Sequence, residues 1–162
     1  INGAVLSFFD GAGVGGRASS STDGKFSASL PESLTRATVI IAALEYALTA
    51  RSVDLGTPPL VLEARPESGA LHLLLPEPDL DRPFRVEIWQ QGLPLPLNSL
   101  VQWSADHGES PAQFQGRRWR LPALAPGAYR VCSVPLDGTT LTTCDDGTLT
   151  TGSDLELKLE VP

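Results

Sequence analysis

The chain reads as an all-β protein of two small antiparallel β-sandwich modules, and three observations lead there. Apolar and polar residues alternate with a period of two. The cleanest case is Leu155, Leu157, Leu159 and Val161 against Glu156, Lys158 and Glu160. Turn residues recur at short intervals, at Asp10-Gly11, Asp23-Gly24, Pro126-Gly127 and Asp137-Gly138. A linker-like stretch, Arg65-Pro-Glu-Ser-Gly69, divides residues 1–66 from residues 67–162.

In chain order, Val5-Leu-Ser-Phe-Phe9 is a short apolar strand, followed by a glycine-rich stretch from Gly11 to Gly16. Those glycines lack the lysine and following helix of a phosphate-binding loop. Asp23-Gly24 is a hairpin signal, and beyond it Phe26, Ala28 and Leu30 alternate with polar residues up to Pro31, predicting a half-buried strand. Residues 37–50 stay ambiguous. Val39, Ile40, Ala43, Leu44, Ala47 and Leu48 fit a helical stripe, while the β-branched run Thr38 to Ile41 favours a strand. Leu60-Val-Leu62 reads as another strand.

In the second half, strands are expected over 70–75, 84–89, 100–103, 118–121, 129–134 and 155–161. Leu93-Pro-Leu-Pro-Leu97 belongs at a sheet edge, because proline cannot donate to a ladder.

Composition bounds the function. The chain has 162 residues, enough for two small domains, and a hydrophobic fraction of 41 %, which suits a packed core rather than disorder. Twelve basic residues face nineteen acidic ones, so the net charge of −7 argues against nucleic acid. No apolar run approaches the roughly 20 residues that cross a bilayer, and no transmembrane segment is expected. The chain begins at Ile1 with no basic-then-apolar leader, and is expected to be a processed product or a piece of something longer. Ten of the twelve basic residues are arginine, a bias associated with GC-rich bacterial genomes.

Cys132 and Cys144 are the only cysteines. If 139–143 returns antiparallel to the strand bearing Cys132, the sulfurs come within bonding range. A disulfide is therefore expected, with two free thiols as the alternative. The missing C-x-x-C and distant histidines disfavour a metal pair. A disulfide implies an oxidising, extracytoplasmic compartment, whether periplasmic, cell-surface or secreted.

Two stretches resemble a known family. Ser21-Thr-Asp-Gly-Lys-Phe-Ser-Ala-Ser-Leu-Pro31 looks like the T-D-G-x-F-x-x-x-L-P core of carboxypeptidase regulatory-like domains. Arg118-Trp-Arg-Leu-Pro-Ala-Leu-Ala-Pro-Gly-Ala-Tyr-Arg-Val131 is similar to the family's F-x-L-P-x-L-x-P-G-x-Y-x-V, a strand, a tight turn and a strand. The resemblance implies Ig-like or prealbumin-like sandwiches in tandem, with strands at 37–41 and 51–55. It also implies an accessory module of a larger secreted, cell-surface or outer-membrane protein. The first module lacks the family's clear G-x-V-x-D opening strand before Val5, which leaves it truncated, divergent or completed by another chain.

Reactive chemistry is sparse. No G-x-S-x-G elbow occurs, His72 lies in an apolar strand, and no catalytic residue or cofactor is expected. Asp106, His107 and Glu109 share one polar turn and Asp79, Asp81, Asp145 and Asp146 are paired acids, but none forms a D-x-D-x-D-G loop, so no metal is expected. The candidate binding residues are Trp89, Trp103 and Trp119, which could stack a glycan, and Arg117, Arg118 and Arg120, which could meet an acidic partner. The functional expectation is a non-catalytic structural or protein-interaction module, an accessory subunit bound to other protein subunits, with carbohydrate binding as the alternative.

Overall fold

The computed structural model describes residues 1–10, 13–56, 60–77, 82–97, 101, 112–137 and 141–160. The fold is all-β, and the described residues divide into two compact units, Ile1–Pro66 and Glu67–Pro162. Trp103, the turn carrying Asp106, His107 and Glu109, the Asp79–Asp81 pair, Val161 and most of the expected 100–103 strand lie outside the described residues. Among the described residues no helix is long and apolar enough to cross a membrane.

In the first unit, β1 (Val5–Phe9), β2 (Val14–Ser19), β3 (Arg36–Ala42) and β4 (Thr49–Asp54) form one antiparallel sheet in the order β2-β1-β3-β4. The ambiguous 37–50 segment is strand, turn, strand, with Glu45 left-handed (φ 66°) at the reversal. Its apolar run is dense because β3 is buried on both faces: Val39 and Ile41 on one, Ile40 and Ala42 on the other. Burial of both faces erases the period of two, which is why a helical stripe fitted equally well.

One face of this sheet carries Leu6, Phe8, Ala18, Val39, Ile41 and Val53, with Phe26, Leu30, Leu34, Leu60 and Leu62 packed against them. The covering layer differs from expectation. Residues 25–30 and 60–64 alternate strictly between half-buried and exposed, yet neither pairs into a ladder. The Asp23-Gly24 turn does form, closed by Gly24 N–H donating to Ser21 O at 2.9 Å, but no paired strand follows it. The chain crosses over β2 instead of pairing along it. A Cβ at Gly16 would sit 2.5 Å from Leu30 Cδ2 and 3.0 Å from Ser29 O, so the bare backbone there permits the crossing.

The second unit is a sandwich of two sheets. One holds β11 (Thr143–Leu149), β10 (Gly127–Pro135), β6 (Phe84–Gln90) and β7 (Leu93–Leu95) in that order. The other holds β12 (Asp154–Lys158), β5 (Gly69–Leu74), β9 (Arg118–Leu124) and β8 (Gln113–Gln115). All their pairings are antiparallel except β12 with β5, which run parallel and bring the unit's last strand beside its first. The proline-bearing β7 is an edge strand as expected, joined to β6 by a two-residue turn in which Gln91 and Gly92 both have positive φ (52° and 79°).

Leu71, Leu73, Leu121, Leu124, Val131, Leu149 and Leu157 fill the interior, each buried to 3 % exposure or less. Full burial of a side chain of this class contributes about 1.5–3 kcal/mol. Tyr129 joins them at the corner where β9 leaves one sheet and β10 enters the other. Its hydroxyl donates to Ala125 O at 2.7 Å and accepts from Gln90 Nε2 at 2.5 Å. Gln90 Nε2 also donates to Ala125 O at 3.1 Å, and burial pushes the phenol's pKa above its usual range. The geometry is that of a tyrosine corner. Gly127 serves the same bend: its φ is +150°, and a Cβ there would lie 2.5 Å from Gln91 Nε2. Upstream, Pro122 lies where the β5–β9 register slips, and Ala123 adopts φ 55°.

Cys132 and Cys144 are direct register partners on β10 and β11 and form a disulfide, their Cα atoms 4.1 Å apart. The outer strands of the two sheets, β11 and β12, are tied by side chains. Lys158 N–H donates to Asp145 Oδ2 at 2.8 Å, and the Ser133 and Thr143 hydroxyls donate to Glu160 O at 2.7 and 2.9 Å. This edge of the sandwich is thereby closed.

Tyr129→Phe is expected to lower unfolding free energy by about 1–3 kcal/mol in urea denaturation, because Ala125 O and Gln90 lose a buried partner. A change near zero would show that the corner is held by packing alone. Reduction of Cys132–Cys144 is expected to cost about 3 kcal/mol for a loop of this size, read as a fall in the denaturation midpoint.

Candidate functional site

Three surfaces bring candidate groups together, and they do not coincide with the cluster expected from sequence. The first is the outer face of the β11-β10-β6-β7 sheet. Because Tyr129 and Val131 point inward, Arg130 and Cys132 point outward, and a cross-strand row runs Asp146, Arg130, Trp89, Pro94. Arg130 donates to Asp146 from Nε at 2.7 Å and from Nη2 at 3.0 Å, holding that carboxyl below its usual range. Trp89 is half-buried beside this pair. Its outward placement agrees with its parity opposite Ile88. Arg85 and Glu87 form a further ion pair on the same face at 2.8 Å. The charged groups of this face are spent on one another. Trp89 leaves part of an indole plane as a stacking surface.

The second surface is the outer face of the β12-β5-β9-β8 sheet. Here Glu156, His72, Arg120 and Gln113 form one register row, and Lys158, Leu74, Arg118 and Gln115 the next. A cleft of about 140 Å³ opens among His72, Leu73, Leu74, Arg118, Trp119 and Glu156. His72 Nε2 lies 3.4 Å from Asp154 Oδ2. Two guanidinium groups two residues apart present forked donors to a carboxylate or sulfate ester, and Glu156 lies beyond His72 in the row of Arg120. Among the described residues no cluster of three or more His, Cys, Asp or Glu could hold a metal ion. Asp145 and Asp146, considered as ion ligands from sequence, serve as a backbone acceptor and an ion-pair partner.

The arginines and tryptophans grouped by sequence separate in space. Arg117 turns back across the sheet, its Nε donating to Leu75 O at 2.8 Å and its Nη1 pairing with Glu77. Arg118 and Arg120 face outward. Trp119 faces the interior with Leu73 and Leu121 and packs edge-on against Phe114, their ring centroids 5.0 Å apart. Trp119 thus fills the sandwich margin. Trp89 lies on the other sheet, and Trp103 lies outside the described residues.

Sequence reading missed the third surface. In the first unit a trough of about 530 Å³ opens over β1 and β3, with Leu6 and Ile41 at its floor and Phe26, Leu60, Leu62 and Ala64 along its walls. Its rim carries Lys25, whose Nζ lies 2.9 Å from Asp23 Oδ2. Hydrogen bonds from the Ser21 hydroxyl and from Lys25 lower the Asp23 pKa to about 2. The trough is built from residues remote in sequence. Its local signals are the alternation that begins at Phe26 and the apolar run Leu60-Val-Leu62.

No family model and no curated protein matches the chain. Among solved structures, the Bacillus anthracis TIE protein is similar at a TM-score of 0.32 and 11 % identity, over 98 % of this chain and 30 % of that one. The chain thus spans less than a third of that protein's length, and a likeness at this level carries no argument about fold or function.

Proposed function

We propose that the chain is a non-catalytic structural or protein-interaction module, an accessory subunit of a larger extracytoplasmic or membrane-attached bacterial assembly. The observation that carries this reading is the trough of the first unit. Its floor and walls are apolar side chains, suited to a protein surface rather than to a polar reactant. The charged residues of the second unit support it, because Arg130–Asp146 and Arg85–Glu87 are engaged strand to strand instead of converging on a reacting centre. The Cys132–Cys144 disulfide fits an oxidising compartment, and periplasmic, cell-surface or secreted placement belongs to the proposal. Kinship with carboxypeptidase regulatory-like domains is part of the same reading. It draws support from the formed Asp23-Gly24 turn and the Pro126-Gly127 corner.

Trp89 favours a second reading, carbohydrate binding, because a half-exposed indole beside an arginine can stack a sugar ring.

Gentle purification from the source organism after in-cell crosslinking is expected to recover the chain with a stoichiometric protein associate. Recovery of the chain alone, at native abundance and with crosslinker present, would count against the module reading. A polysaccharide titration followed by tryptophan fluorescence separates the second reading. The module reading expects no saturable quenching, and saturable quenching abolished in Trp89→Ala would replace it with carbohydrate binding.

A further inference from the structure

We propose that the outer face of the β12-β5-β9-β8 sheet binds an extended acidic segment of a protein partner, with carboxylates at alternate positions set against Arg118 and Arg120. The proposal rests on the protein-interaction reading and names a surface for it. These two arginines differ from the others in that their charge is unspent. Among the described residues Arg36, Arg85, Arg117 and Arg130 each pair with a carboxylate, while Arg118 and Arg120 form no ion pair. They stay unpaired in a chain with nineteen acidic residues against twelve basic ones. Glu156 shares the row of Arg120, with His72 between them, yet the two do not pair.

Strand geometry sets the spacing of the ligand. Arg118 and Arg120 stand two residues apart on β9 and share one face, so they repeat at about 6.8 Å. An extended segment presents its own alternate side chains at the same repeat. Two carboxylates in a D/E-x-D/E pattern therefore meet the two guanidinium forks one to one.

The flanks set its path. On the β8 side Gln115 and Gln113 are the register partners of Arg118 and Arg120, and both are exposed, offering uncharged amides to a main chain. On the β5 side lie Leu74 and His72. Beyond them, two strand spacings or about 9.6 Å from β9, Asp154 and Glu156 repel an acid displaced that way. Lys158 faces Arg118 across Leu74 and makes this the cationic end of the face. The acids of the ligand are thus held along β9. A basic side chain reaching from it across β5 meets Glu156 in the cleft of about 140 Å³ that Glu156 shares with Arg118 and His72. In that cleft His72 Nε2 is shut off from water and forms no hydrogen bond, although Asp154 Oδ2 lies 3.4 Å away.

The same face is poorly suited to a sugar acid, which gains from an aromatic platform. Trp119 and Phe114 take the opposite parity to Arg118 and Arg120, and Trp89 belongs to the other sheet. Charge without an outward indole favours a peptide carboxylate over an acidic polysaccharide.

The test is a titration of the isotopically labelled full chain, read by NMR at backbone amides and arginine Nε–H groups. The probe is the end-blocked heptapeptide Ser-Glu-Ser-Glu-Ser-Glu-Ser, its control carries Gln for every Glu, and heparin serves as a sulfated polysaccharide. Saturable shifts at Arg118, Arg120, Gln113 and Gln115 are expected with the acidic peptide and not with its control. Joint replacement Arg118→Gln and Arg120→Gln is expected to raise the peptide's Kd about tenfold, with the remaining amide shifts unmoved as a sign of an intact sheet. Arg85→Gln removes one arginine charge from the other sheet and is expected to leave the Kd unchanged.

Absence of saturable shifts with the acidic peptide overturns the proposal. So does an equal loss in Arg85→Gln, which would show net charge alone at work. A response to heparin with none to the peptide overturns it in favour of an acidic glycan. If the peptide fails while crosslinking still recovers a protein associate, this surface falls and the module reading stands. If no associate is recovered, the module reading falls whatever the peptide does.

Discussion

Where β9 leaves one sheet of the second unit and β10 enters the other, Tyr129, Gln90 and the Ala125 carbonyl satisfy one another out of reach of water. Much of that unit follows from this node. It holds β6 and β10 in register, since Tyr129 and Gln90 are partners across the ladder. It also decides parity. With Tyr129 pointing in, Arg130 and Cys132 must point out, so the disulfide and the Arg130–Asp146 pair both lie on the sheet's outer face. A buried polar network of this kind is useful only when every member is partnered, and the bend at Gly127 and the slip at Pro122–Ala123 are what bring the partners within reach.

The two units handle exposed backbone in opposite ways. In the second, parallel pairing of β12 with β5 and the side-chain ties from Ser133, Thr143 and Asp145 close the edge between β11 and β12. In the first, a four-stranded sheet is covered by segments that bury apolar side chains without joining a ladder. Burial stabilises such a layer, while the missing ladder leaves it less complete than its partner sheet.

Much of the fold was legible in the sequence, and much less of the candidate site. The strands at 84–90 and 154–158 announced themselves by alternation, whereas 5–9 and 70–74 read as short apolar runs, β1 being buried on both faces at Leu6, Ser7, Phe8 and Phe9. The 37–50 segment did not, because β3 is buried on both faces. The segment at 26–30 showed genuine alternation, and Leu60-Val-Leu62 read as a short apolar strand. Whether an extended segment joins a ladder depends on what lies beside it, which its own residues do not encode. The Trp-Arg cluster at 117–120 misled for a related reason: neighbours in a strand face opposite ways, so Trp119 went inward and Arg118 and Arg120 outward.

By itself the sequence determined the all-β class and the turn chemistry at Asp23-Gly24 and Pro126-Gly127, and it favoured a Cys132–Cys144 disulfide over two free thiols. These are local properties, set by φ preferences, side-chain period and a short loop that returns antiparallel. Only the tertiary structure decided that β12 runs parallel to β5, that Tyr129 seals a corner with a residue thirty-nine positions away, and that the first unit's second layer stays unladdered. Each of those depends on contacts between segments far apart in the chain, and such contacts leave no period or motif in any one of them.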